Sequence, residues 1–82
     1  MGGAHFPCAC CGYLTIQEPG DYELCPVCFW EDDPDQQQDS AFEFGANGYS
    51  LAFAKESYAA TGSSHPSFRF RVRHPLPSEL PL

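Results

Sequence analysis

Four of the five cysteines in this 82-residue chain stand in two pairs, Cys8 with Cys11 and Cys25 with Cys28, each pair separated by two residues. Two intervening residues let a backbone close into a tight knuckle that aims both sulfurs at one point. A second knuckle completes a tetrahedral set of four thiolates. The spacing therefore marks Cys8, Cys11, Cys25 and Cys28 as candidate ligands of a single metal ion. Their neighbours suit the geometry: Pro26 pre-sets one turn, and Gly12, directly after Cys11, can adopt the positive φ that a knuckle needs. A chain this short forms one domain with a core too small to stabilise it by much. A structural zinc ion, contributing on the order of 10–16 kcal/mol of apparent binding free energy, would make metal loading and folding one event.

Disulfides are the competing use of cysteine. The start, Met1 to Pro7, has neither a basic nor an apolar region of a secretory signal, and the odd cysteine count would strand one thiol. Knuckle spacing also suits a metal better than a bridge. The expectation is a reduced, cytoplasmic protein. No apolar run approaches the roughly 18–20 residues of a membrane span.

Charge is acidic and uneven. Residues 1–54 carry nine acids and no Lys or Arg, whereas residues 55–82 hold Lys55, Arg69, Arg71 and Arg73 against Glu56 and Glu79, for a net charge of −7. Such a surface repels phosphate backbones and argues against nucleic-acid binding.

Between the knuckles, Tyr13-Leu14-Thr15-Ile16, the turn residues Glu18-Pro19-Gly20-Asp21 and Tyr22-Glu23-Leu24 read as a hairpin that brings the two knuckles together. Phe29-Trp30 is expected to pack over the site. The acidic run Glu31-Asp32-Asp33-Pro34-Asp35 reads as a solvated loop, with a docking surface for a basic partner as the sharper alternative. It lacks the residue order of a calcium loop. Ser50 is placed to cap a helix over residues 51–61, with Leu51, Phe53, Ala54 and Tyr58 facing the core and Gly62 as its stop. Ser67 to Arg73 alternates apolar and basic residues, as an edge strand or extended arm does. The expected organisation is a flexible N-terminus over 1–5, one domain over 6–74, and a Pro-rich tail over 75–82 that lies extended over the surface or is disordered.

Phe6-Pro7-Cys8-Ala9-Cys10-Cys11-Gly12-Tyr13-Leu14-Thr15 and Tyr22-Glu23-Leu24-Cys25-Pro26-Val27-Cys28-Phe29-Trp30-Glu31-Asp32-Asp33 resemble the cysteine-rich CPCC family of small bacterial proteins, as do Gly45 to Gly48, Ser50-Leu51 and Arg71 to Pro77. One departure is Ala9, where the family's name places proline. The resemblance implies a bacterial source and a metal-binding ribbon, and no particular activity. The two pairs also echo rubredoxin, a one-iron electron carrier. Rubredoxins, however, have a longer insert between knuckles and a glycine where this chain has Phe29, which favours zinc over iron.

Cys10 is the leftover thiol. It is read as a buried neighbour of the site, with an activated thiol or a substitute ligand for Cys8 or Cys11 as alternatives, and His5 as a weaker candidate ligand still. Four thiolates close a metal's shell and quench its Lewis acidity. His5, His65 and His74 are scattered through loops with no nucleophile at a recognisable spacing, which points away from an enzyme.

The combined expectation is a small metal-stabilised α+β domain, a zinc-ribbon or rubredoxin-like β-hairpin with two knuckles and one short helix. Its expected role is that of a monomeric protein-interaction module built on one structural Zn²⁺. Two alternatives stand beside it: iron electron transfer or thiol redox sensing, and, more weakly, nucleic-acid binding through Arg69, Arg71 and Arg73.

Overall fold

The computed structural model describes residues 5–81. The expected flexible N-terminus thus falls, except for His5, outside the described residues. Strand β1 (Phe6–Pro7) pairs antiparallel with β2 (Leu14–Ile16), Phe6 opposite Ile16 and Pro7 opposite Leu14, with an irregularity between the two pairs. The hairpin therefore wraps the first cysteine pair. Tyr22-Glu23-Leu24 does not return along residues 13–16 as expected; Leu24 bridges Glu31 instead, across the second pair. Each pair closes its own short ladder because a knuckle already reverses the chain, so its flanks meet before any distant strand can.

The acidic run is not a solvated loop. Asp32 and Asp33 are buried, and Asp33 caps helix α1 (Pro34–Gln38), its Oδ1 accepting from the amides of Asp35 at 2.8 Å and Gln36 at 3.4 Å. Asp33 Oδ2 accepts from Ala46 N at 2.8 Å, and Asp32 Oδ2 from Gly20 N at 2.7 Å. Both carboxylates thus exchange water for backbone N–H groups, which is how a charge is tolerated inside a small protein.

Beside them Gln36, fully buried, donates to the carbonyls of Phe42 and Tyr49 and accepts from both nitrogens of Asn47. Asn47 in turn grips the Glu31 backbone, accepting from its N–H at 2.8 Å and donating to its C=O at 2.9 Å. A Cβ on Gly45 would fall 2.5 Å from Gln36 Cγ and 2.6 Å from Asp33 Oδ2, so only glycine lets the chain pass this close. This polar clasp shapes the 39–49 loop, on which Phe44 stands 86% exposed.

Helix α2 (Leu51–Thr61) has the expected bounds. The Ser50 hydroxyl accepts from Phe53 N at 3.0 Å, and Gly62, at φ 82°, ends the helix by donating to Tyr58 O. Leu51 and Ala54 enter the core as expected, together with Ser57, while Tyr58 is half-buried and Phe53 is 42% exposed. The core itself is Cys8, Cys10, Cys25 and Cys28 with Ile16, Val27, Trp30, Leu51 and Ala54.

Residues 67–73 form no strand. Pro66–Phe68 is a 3-10 turn continued by Arg71 N donating to Phe68 O, and Phe70 points into solvent, 85% exposed. Proline at the turn's first position, with the turn's own i→i+3 bonds from Phe68 N and Arg69 N, decides against an extended arm. Farther on, Pro77–Glu79 makes a second 3-10 turn against β2. Glu79 holds Arg73 by two parallel bonds of 2.8 and 2.9 Å.

Candidate metal centre

Two knuckles with one hydrogen-bond pattern build the site. In the first, Cys8 N donates to Tyr13 O at 2.9 Å and Gly12 N to Cys8 O at 2.9 Å. In the second, Cys25 N donates to Trp30 O at 2.9 Å and Phe29 N to Cys25 O at 2.7 Å. Residue for residue the two loops coincide, and each closes through a left-handed residue, Gly12 at φ 82° and Phe29 at φ 72°. The pairings Pro7–Leu14 and Leu24–Glu31 stand at matching positions.

The sulfurs of Cys8, Cys11, Cys25 and Cys28 all lie within 4.8 Å of one another, the quartet expected from their spacing. Cys8 Sγ is 3.5 Å from Cys28 Sγ, and Cys11 Sγ is 3.8 Å from Cys25 Sγ. Sulfurs bound at about 2.3 Å around a tetrahedral ion stand about 3.8 Å apart. The quartet is therefore close to the size of a tetrahedral thiolate site and could hold a metal ion. Three of the sulfurs are buried and Cys11 is half-buried. None of the expected substitutes joins them: Cys10 is buried beside the quartet, its amide donating to Cys8 Sγ at 3.4 Å, and His5 is exposed.

Packed this closely, four thiols cannot ionise together. Cys25 is held far below the ordinary thiol range because hydrogen bonding from the Cys11, Cys28 and Cys8 thiols favours its thiolate, with the Thr15 hydroxyl 3.0 Å away adding to the effect. Cys8 is pushed far up by its contacts with Cys11 and Cys25, Cys11 by Cys25 and Cys28, and Cys28 by Cys10 first, with burial adding to each. Thiolates this close repel one another unless a cation sits among them, so metal binding must displace protons.

Thr15 was not singled out from the sequence as part of this site, nor was the clasp of Asp33, Gln36 and Asn47 that holds the far side of the second knuckle. The strict correspondence of the two knuckles was the available signal for the Leu24–Glu31 bridge. For Gln36 and Asn47 no local signal exists, because their partners lie far along the chain.

No helix among the described residues is long and apolar enough to cross a membrane. No curated protein matches the chain. The model of the Cysteine-rich CPCC family matches residues 6–79, taking in both knuckles, the polar clasp, α2 and the Arg73–Glu79 pair. The chain thus belongs to the cysteine-rich CPCC family, with Ala9 standing in the first knuckle between Cys8 and Cys10.

Proposed function

We propose that this is a zinc protein whose ion is structural, bound by Cys8, Cys11, Cys25 and Cys28 in a zinc-ribbon-like pair of knuckles, and that it works as a protein-interaction module rather than an enzyme. The observation that carries this reading is the sulfur quartet, with edges of 3.5 and 3.8 Å and three members buried. Four thiolates leave no open position for water or substrate, so a bound ion supplies rigidity and not Lewis acidity. Zinc is preferred to iron on the short insert between the knuckles and on Phe29 at the position after the second pair.

What the ion makes rigid is a surface. The loop that the clasp holds presents Phe44 among the exposed acids Asp35, Asp39 and Glu43, a combination that suits a basic protein partner with an apolar contact at its centre. Metal analysis of protein purified without added zinc, followed by chelation, tests the reading. One equivalent of zinc, with fold and metal lost together and the protein sedimenting as a monomer, is expected. A chain that stays folded without metal overturns the structural role, and a red protein with iron–thiolate absorption transfers the site to electron transfer.

A further inference from the structure

At the C-terminal end of α2, the last turn of the helix and the returning chain line a groove of about 460 Å³. Tyr58, Ala59, Thr61 and Gly62 form one wall, and Arg69, Val72, Arg73 and His74 form the other. No carboxylate lines it, although the chain carries a net −7. Two of the four Lys and Arg residues meet here.

The arginines are not occupied in capping the helix, the ordinary reason for basic groups at such an end. Gly62 closes the helix by its own N–H, while Arg69 Nη1 donates to Pro66 O at 3.2 Å and Arg73 Nη1 to His74 O at 3.0 Å. Arg69 is held further by its guanidinium lying 4.7 Å from the Phe70 ring centroid, and among the described residues it pairs with no carboxylate. Arg73 already grips an oxyanion, Glu79, through both arms of its fork.

We propose that this groove is an anion site that takes the phosphate group of a small phosphate monoester. The phosphate sits between the Arg69 and Arg73 guanidiniums with His74 alongside, and the organic part lies on Tyr58, Ala59 and Val72. A planar fork matches a phosphate's oxygens as it matches a carboxylate's, and a dianion gains more from two guanidiniums than Glu79 gains from one. The volume is that of an ordinary small-ligand pocket, in the range of about 300–1,000 Å³. Glu79 then acts as a built-in competitor for Arg73, and ligand binding displaces it. The site is separate from the sulfur quartet, and zinc enters only by keeping the chain folded.

The test is a two-dimensional NMR titration of the metal-loaded protein with inorganic phosphate and with phenyl phosphate, using sodium chloride at matched ionic strength as the control. Both phosphates are expected to shift the amides of 58–62 and 69–74 saturably, phenyl phosphate at the lower concentration. Arg69→Gln is expected to weaken binding about tenfold, the equivalent of one charge-assisted hydrogen bond. Lys55→Gln, outside the groove, leaves binding unchanged. Glu79→Gln is expected to strengthen it severalfold by releasing Arg73, whereas a merely structural Arg73–Glu79 pair predicts no gain. Shifts that chloride reproduces, that fail to saturate, or that survive Arg69→Gln undiminished overturn the site. Zinc content measured on the same samples separates that failure from a failure of the metal assignment.

Discussion

The two knuckles share one backbone pattern and differ in almost everything around it. The first closes on Gly12, where an added Cβ would meet nothing within 4 Å, and its Cys11 is half-buried. The second closes on Phe29, a residue that spends about 1–2 kcal/mol to sit in the left-handed region. Its Cys28 is fully buried, and the chain after α2 is strapped across it: Ser64 N donates to Cys28 O at 2.7 Å, Arg73 N donates to Pro26 O at 3.3 Å, and the rings of Phe29 and Phe68 stand 4.8 Å apart. Asn47 ties down the strand partner of the second knuckle and, among the described residues, has no counterpart at the first. Identical local geometry thus produces one accessible edge and one locked edge, and the difference lies in distant parts of the chain.

The strongest way to break this comparison is to remove one sulfur from each knuckle. On the proposed zinc reading, Cys28→Ser is expected to abolish stoichiometric zinc and cooperative folding together, because a structural zinc would contribute on the order of 10–16 kcal/mol and Cys28 is fully buried in the core. Cys11→Ser, at the open edge, is expected to keep weak zinc binding through three thiolates. Competition with a chromogenic chelator measures both, and equal losses would erase the distinction. Acidification should empty the unmutated site: three of its four thiols are pushed up and must lose protons to bind metal, so metal uptake releases protons and affinity falls as pH falls.

The clasp offers the next largest effect. Asn47→Ala leaves the Glu31 N–H without a partner, while the Glu31 C=O keeps Asp33 N and the Gln36 carbonyl oxygen keeps the residue-47 amide, which is expected to cost about 1–3 kcal/mol by chemical denaturation. Hydrogen exchange should rise at 29–33 and not at 8–14. Protection lost equally in both knuckles would mean that the clasp stabilises the whole chain rather than one half.

Smaller effects follow from the two left-handed residues. Gly12→Ala has room for its methyl group and is expected to cost only the backbone term, about 1 kcal/mol. Phe29→Ala loses the contact with Phe68 while keeping the strain, and is expected to cost about 0.5–1.5 kcal/mol, whereas Phe29→Gly relieves the strain and falls close to wild type. A Phe29→Gly variant as unstable as Phe29→Ala would show that the ring, not the backbone, governs this turn.

Tyr58 gives the smallest effect in energy and the cleanest in spectroscopy. Burial, with the neighbouring Cys11 adding, pushes its phenol up to about 12. A raised pKa means that the neutral phenol is favoured in the folded state. That contribution is complete below the ordinary value of about 10 and is lost as pH rises through about 12. Phenolate absorbance should therefore lack one late-titrating tyrosine in Tyr58→Phe, with little change in stability at neutral pH.

Much of this was legible in local sequence. The cysteine spacing alone pointed to the quartet, since a knuckle is a short-range object. Ser50 and Gly62 bounded α2 because capping is decided by a side chain reaching its own backbone. The hairpin was misplaced because residues 13–16 and 22–24 both carry strand character, and propensity does not say which flank each will pair with. The acidic run was misread because charge blocks are ordinarily solvated. Asp33 is buried because the amides of Asp35, Gln36 and Ala46 converge on it, the last brought in by the loop through Gly45. The alternation over 67–73 predicted a strand, but Pro66 starts a 3-10 turn whose backbone bonds take up the segment instead.

By itself the sequence determined the four sulfurs, their knuckles, the cap and stop of α2 and an acidic surface, all consequences of interactions spanning a few residues. Only the tertiary structure decided that Cys10 stands outside the quartet, that the second knuckle is locked and the first open, and that Arg69 and Arg73 meet across a groove from Tyr58. Each of these depends on segments far apart in the chain being packed together. A packed core sets such contacts through volume and hydrogen-bond satisfaction rather than through any local pattern.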